Sequence, residues 1–136
     1  MTADQLAALH AKCFTQPRPW SAQEFAELLN SKAVFLCADE FGFALGRVAG
    51  PEAELITIAV DPDHRRQGHA QNLMHAFELQ AKASGATQVF LEVAETNKAA
   101  TALYQQFGFS QAGLRKDYYA GPLGHRIAAL VMRKDL

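Results

Sequence analysis

Cysteine is scarce, with Cys13 and Cys37 alone in the chain. Two thiols build neither a disulfide scaffold nor a four-cysteine zinc site, so both are expected to be reduced and buried. No apolar run approaches the roughly 18 residues that a membrane span needs. The N-terminus has no basic stretch ahead of an apolar one, so no secretion signal is read there. Charge of one sign is not in excess: 13 Lys plus Arg stand against 14 Asp plus Glu. That balance gives no general reason to expect nucleic acid as partner. The histidines His10, His64, His69, His75 and His125 show no pair at helical zinc spacing, so no metal is expected. These absences leave a cytoplasmic protein with no membrane partner. At 136 residues and 49% hydrophobic, the chain suits one domain over 1–136 with a real core.

The charge that is present is unevenly placed. Residues 1–60 carry 4 basic and 7 acidic side chains, and residues 61–136 carry 9 and 7. An anionic ligand is therefore better sought in the second half.

Apolar spacing predicts a helix over 3–13, with Leu6, Leu9 and Cys13 on one stripe. Pro17 and Pro19 break it. Ser21 with Glu24 forms a capping box, and Trp20 can staple onto Phe25, which starts a second helix running to Leu29. Short strands follow at Ala33–Ala38, Phe43–Val48 and Glu54–Val60, and their brief links favour an antiparallel meander. A helix from Gly68 to about Ser84, a strand Val89–Ala94 and a helix capped by Asn97 and running to Phe107 come next. Two last strands are expected near Gln111–Tyr118 and Ile127–Arg133, with Pro122 and Gly124 between them. The order helix, helix, three strands, helix, strand, helix, two strands gives a mixed α/β sheet covered by helices.

The strongest local signal is Val60-Asp61-Pro62-Asp63-His64-Arg65-Arg66-Gln67-Gly68-His69-Ala70. A strand ends, proline turns the chain, and glycine opens a helix. The unpaired N–H groups of a first helical turn can hold a diphosphate, assisted by the helix dipole and by Arg65 and Arg66. An ordinary helix start with surface arginines reads equally well. The segment is not a P-loop, because no Lys-Ser/Thr ending follows, and it lacks the three-glycine dinucleotide spacing.

Two side chains stand out for chemistry. Glu92 sits between Leu91 and Val93, and strand alternation sends it to the face opposite those two. It can accept an amine proton directly or through water, or simply face solvent at a sheet edge. Tyr104 lies on the inward stripe of its helix, either as a core aromatic or as a neutral phenol able to donate a proton.

The chain resembles the GNAT N-acetyltransferases over nearly its whole length. Their signature Arg/Gln-x-x-Gly-x-Gly/Ala is matched by Arg65, Gly68 and Ala70, and the preceding Ile56–Pro62 also matches. In order there follow Leu91-Glu92-Val93, Asn97, Ala102-Leu103-Tyr104, Phe107-Gly108-Phe109 and Arg115-Lys116-Asp117-Tyr118-Tyr119, the set most similar to the bacterial ribosomal-protein-alanine N-acetyltransferases. The resemblance implies a GNAT fold, a mixed and mostly antiparallel sheet of about six strands. The family's first strand is absent, and another subunit could cover that edge. The resemblance also implies acetyl-CoA, with its pantetheine arm along Ile58, Ala59 and Val60 in a splay of the sheet. Its diphosphate would lie on Arg65, Arg66, Gln67, Gly68, His69 and Ala70, with Asn97 alongside. Glu92 would be general base and Tyr104 general acid. Tyr118 and Tyr119 would line the acceptor groove, with Trp20 and the Pro17–Pro19 loop as its other wall, although the staple already accounts for Trp20.

On the acceptor side the chain departs from that pattern. Ala94 replaces the usual arginine, and the segment from His125 to Leu130 lacks the usual acidic pair. The expected activity is acetyl transfer from acetyl-CoA to a primary amine, such as a protein N-terminal α-amine, by direct attack in a ternary complex. A small-molecule amine acetyltransferase and a non-catalytic acyl-CoA sensor are the alternatives. A monomer or weak homodimer is expected.

Overall fold

The computed structural model describes residues 1–14, 18–120 and 124–136. Pro17 and Pro122 lie outside the described residues.

Helix α1 (Ala3–Cys13) starts at a Thr2/Gln5 capping box, and α2 (Ala22–Leu29) starts at the Ser21/Glu24 box read in the sequence. Trp20 packs on Phe25 with ring centroids 5.5 Å apart, which is the expected staple. Strands β1 (Val34–Ala38), β2 (Gly42–Ala49) and β3 (Glu52–Val60) form the antiparallel meander. Helix α3 (His69–Ala83) crosses to β4 (Gln88–Ala94), which makes β4 parallel to β3. A parallel neighbour needs such a crossover. Helix α4 (Lys98–Gln106) and the antiparallel pair β5 (Ser110–Ala120) and β6 (Arg126–Asp135) complete the chain. The six-stranded sheet has the order β1-β2-β3-β4-β6-β5.

The sheet is coated on both faces. One core joins α1 and α2 to it through Leu6, Leu9, Phe25, Phe43 and Leu45. The other joins α3 and α4 through Leu73, Met74, Phe77 and Tyr104, together with Leu55, Val89 and Leu91. Phe25, Phe43 and Phe77 are fully buried, each contributing roughly 2–3 kcal/mol through apolar burial. Gly46 permits this closeness: a Cβ there would meet the Phe35 and Phe77 rings at 2.5–2.8 Å.

Two features of β3 matter for the site. Leu45 pairs with Thr57 and Gly46 with Leu55, so Ile56 is an extra residue with no partner on β2. Such a bulge bends and twists its strand. On the other side, β3 pairs with β4 from Glu52/Gln88 to Leu55/Leu91 and no further. Beyond that point the two strands diverge.

Both cysteines are free and half-buried, less enclosed than the sequence suggested. Among the described residues no helix is long and apolar enough to cross a membrane.

Candidate active site

The divergence of β3 and β4 opens a cleft of about 720 Å³. Its walls are the end of β3, the turn leading into α3, the last residues of β4 and one side of α4. From Ile56 onward the cleft-side edge of β3 has no strand partner, so its amides are open to an extended ligand in strand fashion. The carbonyl of Val60 accepts a hydrogen bond from the Cys13 thiol at 3.2 Å.

At one end lies the turn after β3. Asp61 accepts from the Asp63 N–H at 3.0 Å, and a short 3-10 turn spans Pro62–His64. Arg66 (φ +62°) and Gly68 (φ +84°) then take left-handed conformations. Helix α3 starts without a side-chain cap. The first-turn N–H groups of α3, from His69 to Gln71, have no side-chain cap and no intrahelical acceptor. Orphan donors at a helix mouth, with the dipole behind them, form an anion cradle. A Cβ on Gly68 would touch nothing within 4 Å, so the mouth is unplugged by protein. The exposed side chains of Arg65 and Arg66 add positive charge. This donor set fits a diphosphate.

The other end carries the titratable groups. Leu91 and Val93 point into the α3/α4 core, so Glu92 faces the other way, just past the last β3–β4 pair. Its Oε1 lies 3.2 Å from Arg115 Nε, with the Glu92 side chain 29% exposed. Tyr104, 6% exposed, projects from α4 into the cleft. Its hydroxyl makes no hydrogen bond among the described residues, and burial pushes its pKa well up, so the phenol keeps its proton. Tyr119 lines the same cleft. Burial first, then the Glu92 carboxylate and Tyr118, push its pKa up to about 12. Tyr119 gets there through an irregularity in β5: Arg115 pairs with Ala129 but Tyr119 pairs with Ile127, and Asp117 between them has φ +54°. The extra residues re-aim the strand.

The cleft gathers Ile58, Ala59, Val60, Arg65, Arg66, Gly68, His69, Ala70 and Asn97 with Glu92, Tyr104 and Tyr119. Asn97 also caps α4, its Oδ1 accepting from the Ala100 N–H at 3.1 Å. Gln67 lies in the exposed turn but does not line the cleft, and Tyr118 is 46% exposed outside it. Trp20 does not line the cleft either. It belongs to an aromatic cluster around His10, with Phe14 and Phe25. The Trp20 N–H donates to His10 Nδ1 at 3.0 Å. That leaves the proton of the neutral ring on Nε2, which donates to Thr57 Oγ1 at 3.2 Å. Burial lowers the His10 pKa to about 4.

One lining residue and one ion pair escaped the sequence reading. Cys13 reaches the cleft although no cysteine stood near the motifs. Burial pushes its thiol up, against the pull of Arg65, so it is not poised as a nucleophile. Arg115 could not be linked to Glu92, because the pair depends on how β5 and β4 flank β6. Among the described residues no cluster of His, Cys, Asp or Glu could hold a metal.

Comparison with known proteins places this architecture. The acetyltransferase (GNAT) family model matches residues 3–109. The chain is 34% identical to the ribosomal protein bS18-alanine N-acetyltransferase of Escherichia coli over 134 residues, covering 96% of this chain and 90% of the relative. It is 36% identical to the Haemophilus ducreyi enzyme of the same name over 118 residues, covering 84% and 81%. The crystal structure of the ribosomal-protein-S18-alanine N-acetyltransferase from Escherichia coli superposes with a TM-score of 0.84 at 30% identity, over 95% of this chain and 84% of that one. A splayed sheet with an uncapped helix mouth beside it, a family match over most of the chain and curated relatives spanning nearly all of it agree: the chain belongs to the acetyltransferase (GNAT) family.

Proposed function

We propose that this acetyltransferase moves the acetyl group of acetyl-CoA to the α-amine of a protein N-terminus, by direct attack within a ternary complex. The observation that carries the reading is the convergence of three things on one cleft: the open edge of β3, the uncapped mouth of α3 and the Glu92–Tyr104–Tyr119 cluster. The N-terminal acceptor is favoured by the two curated relatives, each named an alanine N-acetyltransferase of ribosomal protein bS18.

Acetyl-CoA supplies an activated thioester, which the amine displaces with release of the thiol. The chain's own groups do the rest. The N–H groups from Arg66 to Ala70, with Arg65, hold the diphosphate. The edge of β3 at Ile58–Val60 aligns the arm. Glu92 accepts the proton that the amine must lose, directly or through one water. The carboxylate has one oxygen toward Arg115 and the other free for that task. Tyr104 holds its proton at Oη, with no protein acceptor competing among the described residues, and donates it to the departing sulfur. Tyr119 remains neutral and walls the acceptor side. Cys13 stays a hydrogen-bonded thiol, consistent with direct attack rather than an acyl-cysteine.

The test is acetyl-CoA turnover against a panel of N-terminal peptides and small amines. Turnover confined to peptides with a free α-amine supports the reading. Preference for small amines would replace the acceptor, and CoA binding without turnover of any acceptor would favour a sensor.

A further inference from the structure

The diphosphate turn holds one strained backbone conformation, Arg66 at φ +62°, on an exposed residue with no side-chain hydrogen bond or ion pair among the described residues. Such backbone persists where its surroundings over-determine it. The surroundings here are the turn between β1 and β2. The Asp61 N–H donates to the Phe41 carbonyl at 2.7 Å, just before the diphosphate turn. At the turn's start, the Phe41 ring lies flat on the His64 imidazole, with centroids 3.6 Å apart and planes 9° from parallel. At its end, His69 Nδ1–H donates to Asp39 Oδ2 at 2.9 Å, and the Phe41 ring meets His69 edge-on at 5.2 Å. Asp39 Oδ1 accepts from the Phe41 N–H at 2.8 Å, so one carboxylate orders its own turn and grips the neighbouring one. Neither Asp39 nor Phe41 lines the cleft. His64 Nδ1 is buried without a hydrogen-bond partner, so stacking on Phe41 is what the structure shows holding that ring.

We infer that Asp39 and Phe41 are positioning residues for coenzyme binding: they clamp His64 and His69 and so pre-set the intervening N–H groups for a diphosphate. The inference rests on the assignment of the α3 mouth as the diphosphate site. A pre-ordered cradle does not have to be ordered by its ligand, which strengthens binding without adding a contact. The clamp therefore acts on the affinity for coenzyme and not on the proton transfers at Glu92 and Tyr104.

The experiment is calorimetric titration of CoA into the wild type, Phe41→Leu, Asp39→Asn, His69→Gln and the Asp39→Asn/His69→Gln double variant, with thermal unfolding of each as a control. Asparagine keeps the acceptor for the Phe41 N–H, so the hairpin turn survives in Asp39→Asn. Phe41→Leu and Asp39→Asn are expected to weaken CoA by about tenfold. The Asp39→Asn effect is expected to vanish in the His69→Gln background, because the two residues act as one unit. In turnover, KM for acetyl-CoA rises by the same factor while kcat at saturation stays within about twofold. Unchanged CoA affinity in folded variants, an Asp39→Asn effect that persists without His69, or an equal loss in kcat overturns the clamp. A wild type that does not bind CoA brings down the diphosphate assignment itself, a result distinct from those.

Discussion

The two ends of the cleft are built from different materials. The end proposed for the coenzyme is backbone: the unpaired edge of β3 and the uncapped mouth of α3. The end proposed for the acceptor is side chain: Glu92 against Arg115, the Tyr104 phenol and Tyr119 set by an irregular β5. Backbone donors survive every substitution except proline, so that end is vulnerable chiefly through its shape. Side chains can be removed one atom at a time, so the other end is vulnerable through its chemistry. The contrast predicts that changes at the acceptor end act on kcat and changes at the coenzyme end act on KM for acetyl-CoA.

The sharpest test is Glu92→Gln. It keeps the shape and removes the proposed base, and kcat is expected to fall by about 10³-fold with CoA affinity unchanged. A parallel loss of CoA affinity would dissolve the distinction between the two ends. Tyr104→Phe keeps the packing against Phe109 and removes the proposed donor. A fall of about 10²-fold in kcat is expected, with an unchanged unfolding midpoint. Near-wild-type turnover would take Tyr104 out of the chemistry.

The third prediction concerns His10, which ties the segment before α2 to β3 beside the cleft. Its pKa is held at about 4 in the fold by burial, against 6.5 for the free side chain. Between those values the unfolded chain binds a proton that the folded one does not. Stability from this group is therefore complete above pH 6.5 and is lost as the pH falls toward 4, by roughly 3 kcal/mol in total. Urea denaturation at pH 7 and pH 4.5 measures it, and His10→Gln should flatten the difference.

Gly68→Val comes next. A side chain there meets open space, but φ +84° costs an L-residue about 1–2 kcal/mol. KM for acetyl-CoA should rise by about tenfold with little change in kcat. Smallest is Ser21→Ala, which removes one half of a capping box far from the chemistry. It should cost about 1 kcal/mol of stability and leave both kinetic constants alone.

The same division governs what could be read from the sequence. The coenzyme end is local in the chain. A strand, a proline, two arginines and a glycine before a helix lie within eleven consecutive residues, and their geometry follows from short-range rules. The capping box at Ser21 and the N-cap at Asn97 were legible for the same reason. The proposed acceptor end is assembled from β4, α4 and β5, and its pairings depend on tertiary geometry. Glu92 and Arg115 meet because β6 brings their strands to its two sides. Trp20 looked like a groove wall, but its backbone N–H and ring are committed to His10 and its aromatic neighbours. The grip of Asp39 on His69 spans thirty positions and carries no sequence pattern.

The unpaired Ile56 has a consequence for how this protein can tolerate change in length. One added residue in β3 shifts the parity of everything after it, so that Ile58 and Val60 face α3 while Thr57 and Ala59 face α1. Deleting it would leave Thr57, Ile58, Ala59 and Val60 on their present faces and partners, with Leu55 and Thr57 as neighbours in a regular ladder, and would take out only the local bend. The supernumerary amino acid stands right after the last pair with β4, so it is the place where a one-codon deletion would straighten the strand without disturbing which side chains it buries.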